Sequence, residues 1–170
     1  TKKNFKNKFG IFISKGASLL YLTSFSFLIL EVKLNNQNLF PLLIYSMLIS
    51  ISSDMGGFIF GKTFKGRKLT KISPNKTISG AIGSFIFTLM LIPIIISSEF
   101  NFDIFSLIII SLIISLASQF GDLFISFLKR KAKVKDTGDL LPGHGGFLDR
   151  IDGILLAVPV GFILFNISLS

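Results

Sequence analysis

Carboxylates and cations crowd one stretch of this chain. From Ser126 to Asp152 it reads SFLKRKAKVKDTGDLLPGHGGFLDRID, bringing Asp136, Asp139, His144, Asp149 and Asp152 together with Lys129, Arg130, Lys131, Lys133, Lys135 and Arg150. Carboxylates beside several cations are what a Mg²⁺–polyphosphate site requires. Hard oxygens hold the metal, and the cations neutralise charge on a transferring phosphoryl group. Asp149 and Asp152 stand three apart and face one direction if that turn is helical. The same pair could instead cap the N-terminus of the helix that follows. His144 lies in Pro142-Gly143-His144-Gly145-Gly146, where glycine permits close approach of backbone to ligand. It reads either as a proton shuttle or phosphate donor, or as a turn histidine with a structural hydrogen bond. The chain has no Cys and one His, which excludes disulfides, thiolate metal sites and multi-His centres. Oxygen ligands remain, and they suit Mg²⁺ or Ca²⁺.

Two further aspartates, Asp54 and Asp122, sit near the ends of apolar runs. A carboxylate at the centre of a membrane helix costs about 2.5–3.5 kcal/mol on insertion scales, and less near the interface. Aspartate is too short to snorkel well to the headgroups. Each also belongs to a polar stripe at three- and four-residue steps: Ser46, Ser50, Asp54, Gly57 and Gly61 in one run, and Ser111, Ser115, Ser118, Asp122, Ser126 and Lys129 in the other. Such a stripe turns one helical face toward a bundle interior. The loop between residues 62 and 80, KTFKGRKLTKISPNKTISG, adds cations and hydroxyls that can bind phosphate oxygens. Most of its lysines are explained by topology. Lys76, next to the Ser73-Pro74 turn, is the exception.

The elements that must position these groups are apolar. Half of the 170 residues are hydrophobic, 16% are charged and mean hydropathy is +0.71, whereas soluble domains are about 25% charged. A helix needs roughly 20 apolar residues to cross a bilayer core. Runs over 16–30, 39–60, 78–97, 104–128 and from Ile151 or Asp152 to the C-terminus predict five spans. Pro93 is expected to bend the third, and Pro159 to interrupt the last. The net charge of +9 would suggest nucleic acid in a soluble protein. Here all the cations but Lys33 fall in three clusters set off by the spans, the distribution that the positive-inside rule produces. No nucleic-acid partner is expected. The prediction is an all-α, multi-pass protein of the inner or cell membrane, a single membrane-embedded domain over 1–170, with the N-terminus and the polar loops cytoplasmic. A chain that begins with Thr fits a piece of a longer architecture.

The long motif Ser126-x-x-Lys129-Arg130-x4-Lys135-Asp136-x-Gly138-x-x-Leu141-Pro142-x-His144-Gly145-Gly146-x-x-Asp149-Arg150-x-Asp152 resembles the signature of phosphatidate cytidylyltransferases, or CDP-diacylglycerol synthases. A second block, Ser53-Asp54 to Gly61, Lys68-Leu69 and Ile72-Ser73-Pro74-Asn75-Lys76-Thr77-x-x-Gly80, is similar to another part of that family, as is Gly121-Asp122-Leu123. The chain departs from the family pattern at Ser79, Phe58 and Thr70-Lys71. The resemblance implies an enzyme that joins CTP and phosphatidate, depends on Mg²⁺ alone or with a second cation, and works as a homodimer among membrane lipids. By motif position Asp122 and Asp149 are the implied metal ligands. Lys129, Arg130 and Asp136 join them as catalytic residues, and Asp54, Ser73, Lys76, Lys135, His144, Arg150 and Asp152 bind substrate. Competing readings are transfer to another lipid phosphate, a transporter using Asp54 and Asp122, and a degenerate homologue. CDP-alcohol phosphotransfer requires a D-G-x-x-A-R motif that is absent from this sequence. The geometric expectation is that Asp122 and Asp149 converge.

Overall fold

The computed structural model describes residues 21–34, 39–70, 73, 76–96, 100, 102–131 and 148–169, with backbone alone at 148–150. Six helices occupy them. Helix α1 covers 21–34, and α2 Phe40–Phe64, α3 Ile78–Leu89, α4 Ile92–Ile96, α5 Ile104–Lys131 and α6 Leu148–Leu169 follow. Four segments of the described chain are long and apolar enough to cross a membrane: Phe40–Phe64, Ile78–Ile96, Ile104–Lys131 and Ile151–Leu169. The protein is an all-α, multi-pass membrane protein. The N-terminal unit ends at Phe40. Its helix α1 carries Ser24 and Ser26, whose hydroxyls donate back to the carbonyls of Tyr21 and Leu22.

From Pro41 onward, α2, α5 and α6 form the centre. Tyr45 pairs with Ser111 across α2 and α5, and further along both helices Ser50 meets Ser118 at 2.7 Å and Ser53 meets Ser115 at 3.0 Å. The two helices therefore run the same way. Helix α6 runs against them, bringing Gly153 to Ser118 and Gly161 to Ser46. A Cβ on Gly153 would lie 2.6 Å from the Ser118 hydroxyl, so only glycine lets α6 come this close. Ser46, Ser50, Ser53, Ser111, Ser115 and Ser118 are fully buried, while Phe58, Phe64, Phe105 and Phe120 are exposed. In water that distribution would be inverted. In lipid it is expected, because tails already solvate apolar surface and helices associate through small residues and inter-helix hydrogen bonds.

Helix α3 lies antiparallel to α2 on a glycine seam. A Cβ on Gly83 would sit 2.7 Å from the Gly56 carbonyl oxygen, and one on Gly80 2.8 Å from that of Gly57. The Ser84 hydroxyl crosses the seam to the Ser53 carbonyl at 2.6 Å. Ahead of Pro93 the third span breaks at Met90–Leu91 into α3 and α4, as proline geometry predicts. Pro159 behaves differently from expectation, because α6 continues through it. Membrane helices tolerate an interior proline where neighbouring groups re-satisfy the backbone. Helix α6 also begins earlier than expected, at Leu148, placing Asp149 in its first turn.

Candidate active site

A cavity of about 280 Å³ opens where α2, the start of α3 and the later turns of α5 meet. Asp54, Gly57 and Phe58 line it from α2, Gly80 and Ser84 from α3 with Thr77 just ahead of them, and Gln119 and Asp122 from α5. The segment between α2 and α3 supplies Leu69, Ser73 and Lys76. Its ends pair as a small hairpin. Leu69 N–H donates to the Lys76 carbonyl at 2.7 Å, Ile78 N–H donates to the Arg67 carbonyl at 3.0 Å, and Lys68 bridges Thr77. The chain enters this hairpin through Lys65 (φ 44°) and Gly66 (φ 142°), and a φ near 142° is territory that glycine occupies at little cost. Ser79 anchors the return by donating to the Lys65 carbonyl. Thr77 then caps α3, its hydroxyl oxygen accepting from Gly80 N–H at 3.1 Å. Lys76 is thus held immediately before a helix start by backbone pairing on one side and a cap on the other.

Lys76 Nζ forms an ion pair with Asp122 Oδ2, each side chain about a quarter exposed. The other carboxylate oxygen, Oδ1, accepts from the Ser126 hydroxyl at 3.4 Å, one turn along α5. The charge of Asp122 acts on Asp54 and on Asp152, and Lys76 acts on Asp54. Three carboxylates from three helices therefore share one electrostatic neighbourhood. Asp152 is not among the residues that line the cavity. It is 6% exposed, and its Oδ1 accepts from Gly153 N–H at 2.9 Å. Gly121 brings the backbones of α5 and α6 together at this level: a Cβ there would meet the Asp152 carbonyl oxygen at 2.8 Å.

Apart from Asp152, the residues singled out from sequence divide into three groups. Asp54, Ser73, Lys76 and Asp122 line one cavity. Lys129 and Arg130 occupy the last turn of α5, with Lys129 acting electrostatically on Asp152 and Arg130 exposed. Asp149 and Arg150 belong to the first turn of α6, where only their backbone is described, and Lys135, Asp136 and His144 lie outside the described residues. The convergence of the Asp122 and Asp149 side chains therefore also falls outside them. Asp54 is exposed at the cavity, whereas its neighbour Ser53 takes the buried place on the α2 stripe. Sequence reasoning missed Gln119. Its signal was a lone carboxamide three residues before Asp122 in an otherwise apolar and serine-bearing run.

Comparison with known proteins agrees with the motifs. A profile described as the cytidylyltransferase family matches residues 1–168. A protein of Staphylococcus haemolyticus (strain JCSC1435) named phosphatidate cytidylyltransferase is 42% identical over 125 residues, covering 72% of this chain and 48% of its own length. One of the same name from Rickettsia felis is 48% identical over 122 residues, covering 66% of this chain and 53% of its own. Another from Rickettsia prowazekii (strain Madrid E) is 42% identical over 151 residues, covering 84% and 65%. The chain thus spans about half to two thirds of the length of these relatives. With its cavity of paired lysine and aspartate at the ends of serine-lined membrane helices, it belongs to the cytidylyltransferase family.

Proposed function

We propose that this chain forms the catalytic portion of a CTP:phosphatidate cytidylyltransferase, yielding CDP-diacylglycerol and pyrophosphate. The observation that carries the reading is the cavity in which Lys76 and Asp122 pair beside Asp54. It offers a cation and carboxylates between helices long and apolar enough to cross a membrane, which suits a reaction joining a charged nucleotide to a lipid phosphate. Kinship with proteins named phosphatidate cytidylyltransferase supports the substrates.

In the reaction an oxygen of the lipid phosphate forms a bond to the α-phosphorus of CTP. The bond from that phosphorus to the α–β bridging oxygen breaks, and pyrophosphate leaves with the electron pair. A phosphate monoester is already a competent nucleophile at neutral pH, so the protein's work is positioning and neutralising charge. Lys76 would hold a phosphate oxygen from the hairpin, and Lys129, Arg130, Lys135 and Arg150 would gather the remaining phosphates. Asp54, Ser73 and His144 would complete the substrate contacts, and Asp136 and Asp152 would orient the cations.

The donor chemistry fits a hard divalent cation. Among the described residues no three acidic or His groups cluster as an ion site, but Asp122 already takes a positive charge, that of Lys76. The close crossing of α5 and α6 at Gly121 and Gly153 supports pairing the Asp122 and Asp149 carboxylates, because Asp149 belongs to the turn of α6 that precedes Asp152. Asp122 and Asp149 would hold Mg²⁺, alone or with a second cation, and when bound it supplies Lewis-acid neutralisation of the phosphates. The deciding assay is pyrophosphate release by the detergent-purified protein with CTP, Mg²⁺ and phosphatidate. Release with phosphatidate supports the reading. Release only with a different lipid phosphate moves the substrate, and no release with any lipid phosphate overturns the proposal.

A further inference from the structure

Gln119 points to a contact that the ion pair does not explain. It lies on α5 three residues before Asp122, so the two share a helix side, and both line the cavity with Lys76, Ser73 and Thr77. Its Nε2 is shielded from solvent and meets no acceptor among the described residues. Folded proteins rarely bury an amide donor without an acceptor, and such exceptions call for an explanation such as a ligand. The neighbourhood says which acceptor would suit. Lys76 brings an ammonium and Ser73 a hydroxyl to the same walls. A group that can satisfy an ammonium, a hydroxyl and an amide N–H together carries several anionic oxygens, and that describes a phosphate. We propose that Gln119 is a substrate-binding residue whose carboxamide N–H donates to a non-bridging oxygen of a phosphate seated in the cavity beside Lys76. This deepens, and rests on, the reading that the cavity accepts phosphate substrates. The phosphate belongs either to the nucleotide or to the lipid, and the two sources separate by experiment.

The test compares wild type with Gln119→Leu, which removes the donor at similar size, and Gln119→Glu, which keeps the shape but replaces the donor with an acceptor. Thermal unfolding of the detergent-purified protein is followed alone, with CTP and Mg²⁺, and with phosphatidate in mixed micelles, and KM and kcat are measured for both substrates. Without ligand, Gln119→Leu should unfold at or above the wild-type temperature, since it no longer buries an unpaired donor. It should lose the stabilisation given by one of the two substrates, with that substrate's KM raised about tenfold, the fold-change of one lost hydrogen bond to a charged group. Gln119→Glu should raise the same KM further by setting a negative charge against the phosphate. The affected substrate identifies the source. Wild-type ligand responses and KM values in both variants would assign Gln119 to the fold and overturn the proposal, as would failure of both variants to fold. If wild type responds to neither CTP nor phosphatidate, the proposed function falls, and inorganic pyrophosphate decides the role of Gln119. A pyrophosphate-induced shift in wild type that Gln119→Leu lacks supports it; a shift common to both, or absent from both, overturns it.

Discussion

At the scale of single residues, Asp122 engages both of its carboxylate oxygens at the cavity. It takes Lys76 on one oxygen and the Ser126 hydroxyl on the other. Asparagine preserves an acceptor and the shape while removing the charge. Asp122→Asn should therefore leave the protein monodisperse by size-exclusion chromatography, yet lower pyrophosphate release by at least about 100-fold, the scale on which electrostatic stabilisers of a developing charge are missed. Lys76 tests the opposite sign. Lys76→Met keeps most of the length but deletes the ammonium, and a charge-assisted hydrogen bond is worth about 1.5–3 kcal/mol. CTP-dependent turnover should fall roughly 10- to 100-fold. Lys76→Arg should recover part of the loss, since it restores the charge but not the compact geometry of an ammonium. Equal turnover in the Met and Arg variants would show that charge at this position is not what the reaction uses.

At the scale of elements, the position of Lys76 depends on how closely α3 lies on α2. A Cβ at Gly83 would press on the Gly56 carbonyl oxygen at 2.7 Å and on the base of the Phe60 side chain, neither of which can swing aside. Gly83→Ala should push the helices apart at a cost of about 1–3 kcal/mol, seen as a lower unfolding temperature. Turnover should drop with it, because the hairpin carrying Lys76 leads directly into α3. Ile82→Ala, on the exposed face of the same helix, should change stability by no more than about 0.5 kcal/mol. The elements themselves were readable because apolar runs and serine steps follow the helical repeat. Side-chain choice within a stripe was less readable. From Ser50, Ser53 lies about 60° to one side and Asp54 about 40° to the other at 100° per residue, so spacing admits either as the buried member. The neighbours decide it: α5 sits on the Ser53 side and pairs it with Ser115. The pairing of Lys68 with Thr77 was hidden for a different reason. It joins residues across a turn, and helical periodicity does not record it. Gln119 was hidden because one carboxamide has no spacing pattern, and that its nitrogen meets no acceptor among the described residues is visible only once its surroundings are built.

At the scale of the whole molecule, the interior serines and exterior phenylalanines assign the surroundings to lipid, and the remaining question is which end of the helices meets the cytoplasm. Helix α5 has 28 residues, about 42 Å at 1.5 Å per residue, against a bilayer core of about 30 Å. Its two ends must therefore emerge on opposite sides. One end is capped by Asp103, whose carboxylate accepts from Phe105 and Ser106 N–H, and the other finishes in Lys129, Arg130 and Lys131. Basic ends stay on the cytoplasmic side because cations resist translocation. The candidate cavity shares that end through Asp122, so under the proposed function the orientation of α5 also sets the side from which CTP would arrive. Nature supplies a clean background for the measurement, since the protein has no cysteine. Ile104→Cys and Lys131→Cys, both at exposed positions, should label oppositely with a membrane-impermeant maleimide. The first should react on intact cells, and the second only after permeabilisation. The reverse pattern would place the cavity outside the cell, away from the nucleotide pool, and would sink the cytidylyltransferase reading together with the topology.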